Sequence, residues 1–115
     1  MGNRSYRKGY EFERRVRKLL EERGYVVFRS AGSKPVDLIV TDGRETYVIE
    51  CKVNRGDLRR EDLERMLKIH RRTRYIPVLA YKGRRGVRFV NLLTGEDMEF
   101  PDLASLDRFM DAGSA

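Results

Sequence analysis

The stretch Val36-Asp37-Leu38-Ile39-Val40-Thr41-Asp42-Gly43-Arg44-Glu45-Thr46-Tyr47-Val48-Ile49-Glu50-Cys51-Lys52-Val53 is the most informative part of the chain. Two β-prone runs, 36–41 and 46–53, flank Asp42-Gly43, a strong hairpin signal. A two-residue turn there pairs Thr41 with Arg44 and sets Asp37 opposite Val48. Side chains alternate along a strand, so Asp37, Val48, Glu50 and Lys52 share one face, with Glu50 diagonal to Asp37 at ~7–8 Å between backbones. Ile39 joins that face, and Val36, Leu38 and Val40 take the other. Strands apolar on both sides are normally covered on both, and a carboxylate there is costly without a counter-charge. Either Lys52 supplies it as a structural ion pair, or a divalent cation does. Ligands that are all oxygen favour Mg²⁺ or Mn²⁺ over zinc.

Outward from this hairpin, residues 8–23 place Phe12, Val16, Leu19 and Leu20 at helical spacing, with Gly24 where a helix-ending glycine is expected. Glu13 lies along the edge of that apolar stripe and can reach toward the sheet, or pair on the surface with Arg17 at i+4. A short strand is expected at 25–28 and a loop at 31–35. A second helix over 60–74 puts Leu63, Met66, Leu67 and His70 on one face. Strands at 76–81 and 87–92, a short one near 98–100 and a terminal helix over 103–110 complete the order αβββαβββα. The natural architecture is an α/β single domain, a central mixed sheet flanked by helices. Residues 1–7 are expected to be a flexible basic segment that touches phosphates, and 111–115 a frayed tail.

Charge distribution points to the partner. The 115 residues carry a net charge of +7. Residues 1–34 hold ten Lys or Arg against four acids, and 52–88 thirteen against four, whereas 35–51 has a balance of −3. Basic blocks around a local acidic spot fit a polyanion partner and a cation site, although any single charge run is also what a solvated helix face looks like. The single cysteine, Cys51, excludes an internal disulfide and a Cys₂ or Cys₄ zinc site. With no apolar run near ~18 residues and no secretory leader, the protein is expected to be intracellular, cytoplasmic and free of membrane. Whether the gene is cellular or virus-encoded stays open. The absence of Gln and the scarcity of Asn, at positions 3, 54 and 91 only, fit a heat-adapted source. His70 reads as a packing or interface residue and Cys51 as a small buried thiol facing away from Glu50. Tyr6 and Tyr10 either stack on nucleic acid or pack on the first helix.

Asp37, twelve intervening residues, and Glu50-Cys51-Lys52 resemble the PD-(D/E)xK nuclease signature, with Val36 in place of the usual proline. Tyr6-Arg7-Lys8-Gly9, Glu13-Arg14, Arg29-Ser30-Ala31-Gly32-Ser33-Lys34, Val36-Asp37-Leu38, Ile49-Glu50-Cys51-Lys52-Val53 and Ile76-Pro77-Val78-Leu79-Ala80 are similar to the archaeal-type Holliday junction resolvases. The likeness spans roughly residues 6–92.

That resemblance implies a restriction-endonuclease-like fold and a homodimer that resolves four-way DNA junctions by paired, symmetric, Mg²⁺-dependent nicks, with Mn²⁺ able to substitute. The products carry a 5′-phosphate. It further implies that Glu13, Asp37 and Glu50 bind metal together with the backbone carbonyl of Cys51, and that Lys52 is the catalytic lysine. Arg14 and Arg29 match basic residues of the active site and DNA contact. Ser33 and Lys34 lie in the loop that approaches the scissile strand, and Arg7, Lys8 and Lys82 are further DNA-binding candidates. The segment after Lys52 is short, and Ile69 and Thr73 stand on the second helix where the family often has aromatic residues at its dimer contact. Two alternatives remain: another PD-(D/E)xK repair or restriction nuclease, and a DNA-binding module without catalysis.

Overall fold

The structure, a computed structural model, describes residues 2–30 and 35–105, with side chains from residue 7 onward. The expected terminal helix beyond 105, the tail, and Ser33 and Lys34 of the expected loop lie outside the described residues.

Helix α1 runs Gly2–Glu22. It begins earlier than the periodicity indicates, so the backbone of the basic segment expected to precede the fold is helical. Phe12, Val16 and Leu20 are buried on one stripe. The helix ends in a Schellman motif: Tyr25 N–H donates to the Leu20 carbonyl at 3.1 Å and Gly24 N–H to the Glu21 carbonyl at 3.0 Å. Gly24 takes φ +95°, and a Cβ there would lie 2.9 Å from the Ala104 nitrogen, so glycine is required twice over.

Six strands follow: β1 (Val26–Arg29), β2 (Leu38–Thr41), β3 (Thr46–Lys52), β4 (Ile76–Gly83), β5 (Gly86–Asn91) and β6 (Asp97–Met98). They stand in the sheet in chain order. Every neighbouring pair is antiparallel except β3 and β4, which are parallel. A parallel pair needs a crossover, and α2 (Arg60–Thr73), preceded by a 3₁₀ turn at Arg55–Asp57, supplies it. The expected α/β mixed sheet is therefore the one observed.

Each face of the sheet has its own core. On the α1 side, Phe12, Val16 and Leu20 meet Leu38, Val40, Ile49, Val78, Ala80 and Phe89. Phe100 closes this core edge-on to Tyr25, Tyr47 and Phe89, with ring centroids 4.7–5.4 Å apart. On the α2 side, Met66 packs with Val36 and Val48, and Ile39, Ile69 and Leu92 lean against them. Val36 thus lies on the face opposite Leu38 and Val40, contrary to the alternation reading. Strand β2 begins only at Leu38, and alternation does not extend into the loop before it.

The hairpin register also differs from expectation. Thr41 pairs with Thr46 and Leu38 with Ile49, so the connection is four residues long. Its cause is Asp42, whose carboxylate accepts the backbone N–H of Arg44 at 2.8 Å and of Glu45 at 2.7 Å. That Asx-type turn replaces the tight turn, in which two consecutive residues would need positive φ; here only Gly43 has it. A shift of two residues leaves side-chain parity intact. Asp37, one residue before the last ladder pair, has its carboxyl bonded to that of Glu50, closer than the diagonal placement expected.

Candidate active site

Three elements meet where β2 begins and β3 ends. Asp37 precedes β2, Glu50 and Lys52 occupy alternate positions of β3, and α2 crosses the same face with Asp62 and Arg65. Glu50 is buried, 6% exposed. Its carboxyl bonds to that of Asp37, and burial, reinforced by the Asp37 charge, pushes the Glu50 carboxyl up to about 8; the Arg65 and Lys52 charges pull the other way and are outweighed. The second Asp37 contact is structural: its Oδ2 accepts the Cys51 backbone N–H at 2.8 Å. In a strand the N–H and C=O of one residue point to the same side, so the Cys51 carbonyl also faces Asp37.

The charge bonded to Glu50 comes from α2, a source that the sequence reading does not name. Arg65 Nη2 lies 2.5 Å from Glu50 Oε2 and 3.1 Å from Asp62 Oδ1, and its Nε donates to the Pro35 carbonyl. Lys52 Nζ pairs with Asp62 Oδ2 at 3.5 Å instead of with the acid pair. Asp62 is buried. It also accepts the Arg59 backbone N–H at 2.9 Å, closing the start of α2. Burial disfavours its charge, but the Arg59 N–H, Arg65 and Lys52 together hold its carboxyl below the ordinary range. Among the described residues no buried side-chain polar atom is left without a hydrogen bond.

Asp62 and Arg65 are not legible as site residues in the sequence. The buried residues of α2 are Asp62 and Met66, with half-buried Ile69 packed against the same core; of the expected packing face Met66 is buried, while Leu63, Leu67 and His70 are half-buried. The packing face is rotated because an acid joins it, and apolar periodicity does not register an acid. His70 has a local role, with Nδ1 2.9 Å from the Tyr75 carbonyl. Cys51 packs against the α1-side core, opposite Glu50, and is half-buried.

Glu13 is buried on α1, 8% exposed. Its Oε1 accepts from Arg29 Nε at 3.0 Å, not from Arg17, and Arg29 in turn stacks over the Tyr10 ring at 4.9 Å. Arg14 and Arg17 line the same small cavity. Among the described residues no group of three His, Cys, Asp or Glu side chains stands where it could hold a metal ion. Glu13, expected as a third ligand, is on Arg29 and does not close on Asp37 and Glu50. The pair itself suits a divalent cation: two hard oxygen donors in contact, one buried on β3 and one half-buried before β2, in surroundings that hold the Glu50 carboxyl protonated mainly through burial. Lys8 and Lys82 both line a cleft of about 370 Å³, together with Glu11, Phe12, Arg15 and Val53. Arg7 is exposed.

A mixed sheet with one carboxylate just before β2, a second on the adjoining antiparallel strand β3 and a lysine two residues beyond it has the layout that the PD-(D/E)xK resemblance implies. Residues 4–105 match the model of the family "Archaeal holliday junction resolvase (hjc)". Over 89 residues the chain is 39% identical to the crossover junction endodeoxyribonuclease Hjc of Methanocaldococcus jannaschii, covering 75% of this chain and 67% of that protein. Its fold superposes on the crystal structure of Archaeoglobus fulgidus Hjc, a Holliday junction resolvase from an archaeal hyperthermophile. That match has a TM-score of 0.67 and 27% identity, over 80% of this chain and 79% of the other. The chain belongs to the archaeal Holliday junction resolvase family. It is an endodeoxyribonuclease by that membership. No helix among the described residues is long and apolar enough to cross a membrane.

Proposed function

We propose that this protein resolves four-way DNA junctions by hydrolysis that depends on Mg²⁺, replaceable by Mn²⁺, leaving 5′-phosphates. The observation that carries the reading is the buried Glu50 carboxyl bonded to that of half-buried Asp37, with Lys52 two residues further along β3. Asp37, Glu50 and the Cys51 carbonyl would hold the ion; Glu13, engaged by Arg29, would join them only by leaving that pair. When bound, a divalent cation supplies Lewis-acid polarisation of the scissile phosphate. Lys52, held through Asp62, orients the attacking water and offsets negative charge as the phosphorus gains its fifth oxygen. Arg14 and Arg29 contact the phosphates on either side of the cut, as do Ser33 and Lys34 from their loop. Arg7, Lys8 and Lys82 bind the flanking duplex.

A four-way junction has a two-fold axis, and paired symmetric nicks call for two active sites related by one. A homodimer provides them. Support comes from the α2 side of the sheet, where Val26 and Phe28 of edge strand β1 are 54% and 57% exposed. Phe28 pairs with Ile39 and so projects on the same face as α2. Exposed apolar side chains on a sheet edge of this kind fit a surface covered by a second copy.

The test compares a four-way junction with a linear duplex of matched sequence, in Mg²⁺, for the unaltered protein and Asp37→Asn. Paired cuts confined to the junction and abolished in Asp37→Asn are expected. Equal cutting of the linear duplex would instead favour a repair or restriction-type nuclease, and junction binding without any cutting a non-catalytic module.

A further inference from the structure

The α2 residues Asp62 and Arg65 join the acid pair and Lys52 in one electrostatic set. Asp37, Glu50 and Asp62 bring carboxylates, and Lys52 and Arg65 bring positive charge. A dication seated on Glu50 would lie close to positive charge already held there, which like-charge repulsion opposes. A group of like sign is then displaced.

Lys52 is not the group to leave, because its partner is Asp62, outside the acid pair. Arg65 is differently placed. Its Nη2 spans Glu50 and Asp62, while its Nε on Pro35 and the bond to Asp62 tie it to two groups other than the acid pair. Swinging Nη2 off Glu50 therefore gives up one of these three bonds and leaves the guanidinium anchored. The remaining exposure of the Arg65 side chain, 35%, gives it room to do so.

Resting on the reading that Asp37 and Glu50 hold the divalent cation, we propose that Arg65 is a built-in counter-ion: it occupies Glu50 Oε2 in the metal-free protein and competes with the incoming cation for that oxygen. Arg65 is a positioning residue. It steadies the buried Glu50 carboxyl beside Asp37 before the metal arrives, and it sets the cation concentration at which the enzyme becomes loaded. A purely structural arginine would stabilise metal-free and loaded states alike. A counter-ion stabilises the first at the expense of the second.

The experiment is calorimetric titration of Mn²⁺ into the DNA-free, full-length protein, alongside thermal melts with and without Mn²⁺. Arg65→Met removes the guanidinium. Arg65→Gln keeps donors for Pro35 and Asp62 without the charge, and serves if Arg65→Met does not fold. Mn²⁺ is expected to bind the neutral variant on the order of tenfold tighter, the scale of a partly exposed charge-assisted contact, while its metal-free form melts lower than the unaltered protein. Affinity that is unchanged or weaker in both variants, with Asp37→Asn still abolishing binding, overturns the counter-ion and leaves the metal reading standing. Failure of the unaltered protein to bind Mn²⁺ at all overturns both.

Discussion

The Asp37 carboxylate bonds at once to the backbone N–H of Cys51, through Oδ2 at 2.8 Å, and to the carboxyl of Glu50. One side chain thus stitches the start of β2 to the end of β3 beyond their last ladder pair, and also forms half of the acid pair. The two duties separate by substitution. Asp37→Asn keeps an oxygen for the Cys51 N–H and removes the charge; Asp37→Ala removes both. Asp37→Asn should therefore lose cleavage by at least about 10²-fold while keeping its fold, and Asp37→Ala should in addition lose about 1–3 kcal/mol of stability. Activity assays and urea unfolding on both variants would tell; equal unfolding midpoints would refute the structural half.

Glu50 makes the metal-free protein sensitive to pH. Its ordinary value is 4.5 and its folded value about 8, so between these limits the folded state binds more protons than the unfolded state. The sign follows: this contribution is full below about 4.5 and is lost as pH rises toward 8. In EDTA, unfolding midpoints measured at fixed temperature should decline across that window. Glu50→Gln should flatten the decline, and a slope unchanged in this variant would trace it to another group.

Met66 is fully buried between α2 and the sheet. Met66→Ala leaves a cavity under the helix that carries Asp62 and Arg65, and should cost about 2–5 kcal/mol. Because α2 holds Lys52 and Glu50 through those two residues, cleavage by the folded fraction should fall as well. Chemical denaturation followed by cleavage at saturating substrate separates the two effects, and full activity in the folded variant would show that α2 does not tune the site.

Lys8 and Lys82, lining one cleft, predict a phosphate contact each. Replacing them by alanine should weaken junction and duplex binding alike and flatten the plot of log affinity against log salt by about 0.9 for each lysine replaced. Filter binding or anisotropy across a salt series measures this directly. An unchanged slope in the double variant would remove the cleft from the DNA path.

Much of this architecture is readable in the sequence. Period-3.6 stripes locate both helices and period-2 runs locate the strands. The placement of Asp37, Glu50 and Lys52 on one face withstands the change of hairpin register, since a shift of two residues preserves parity. The change itself arises in a single side chain: Asp42 caps two backbone amides, and a rule keyed to Asp-Gly is blind to that choice. Val36 departs from expectation for a related reason, as alternation stops where the strand does.

The α/β architecture, the acid pair with its lysine, and the resemblance that family membership bears out all depend on backbone periodicity and short motifs, which a linear chain displays openly. Who neutralises whom depends on packing. Arg65 reaches Glu50 across 15 positions and Arg29 reaches Glu13 across 16. Each charged side chain has several partners of equal merit along the chain, and the seating of α2 and α1 on opposite faces of one sheet selects among them by burying some and exposing the rest.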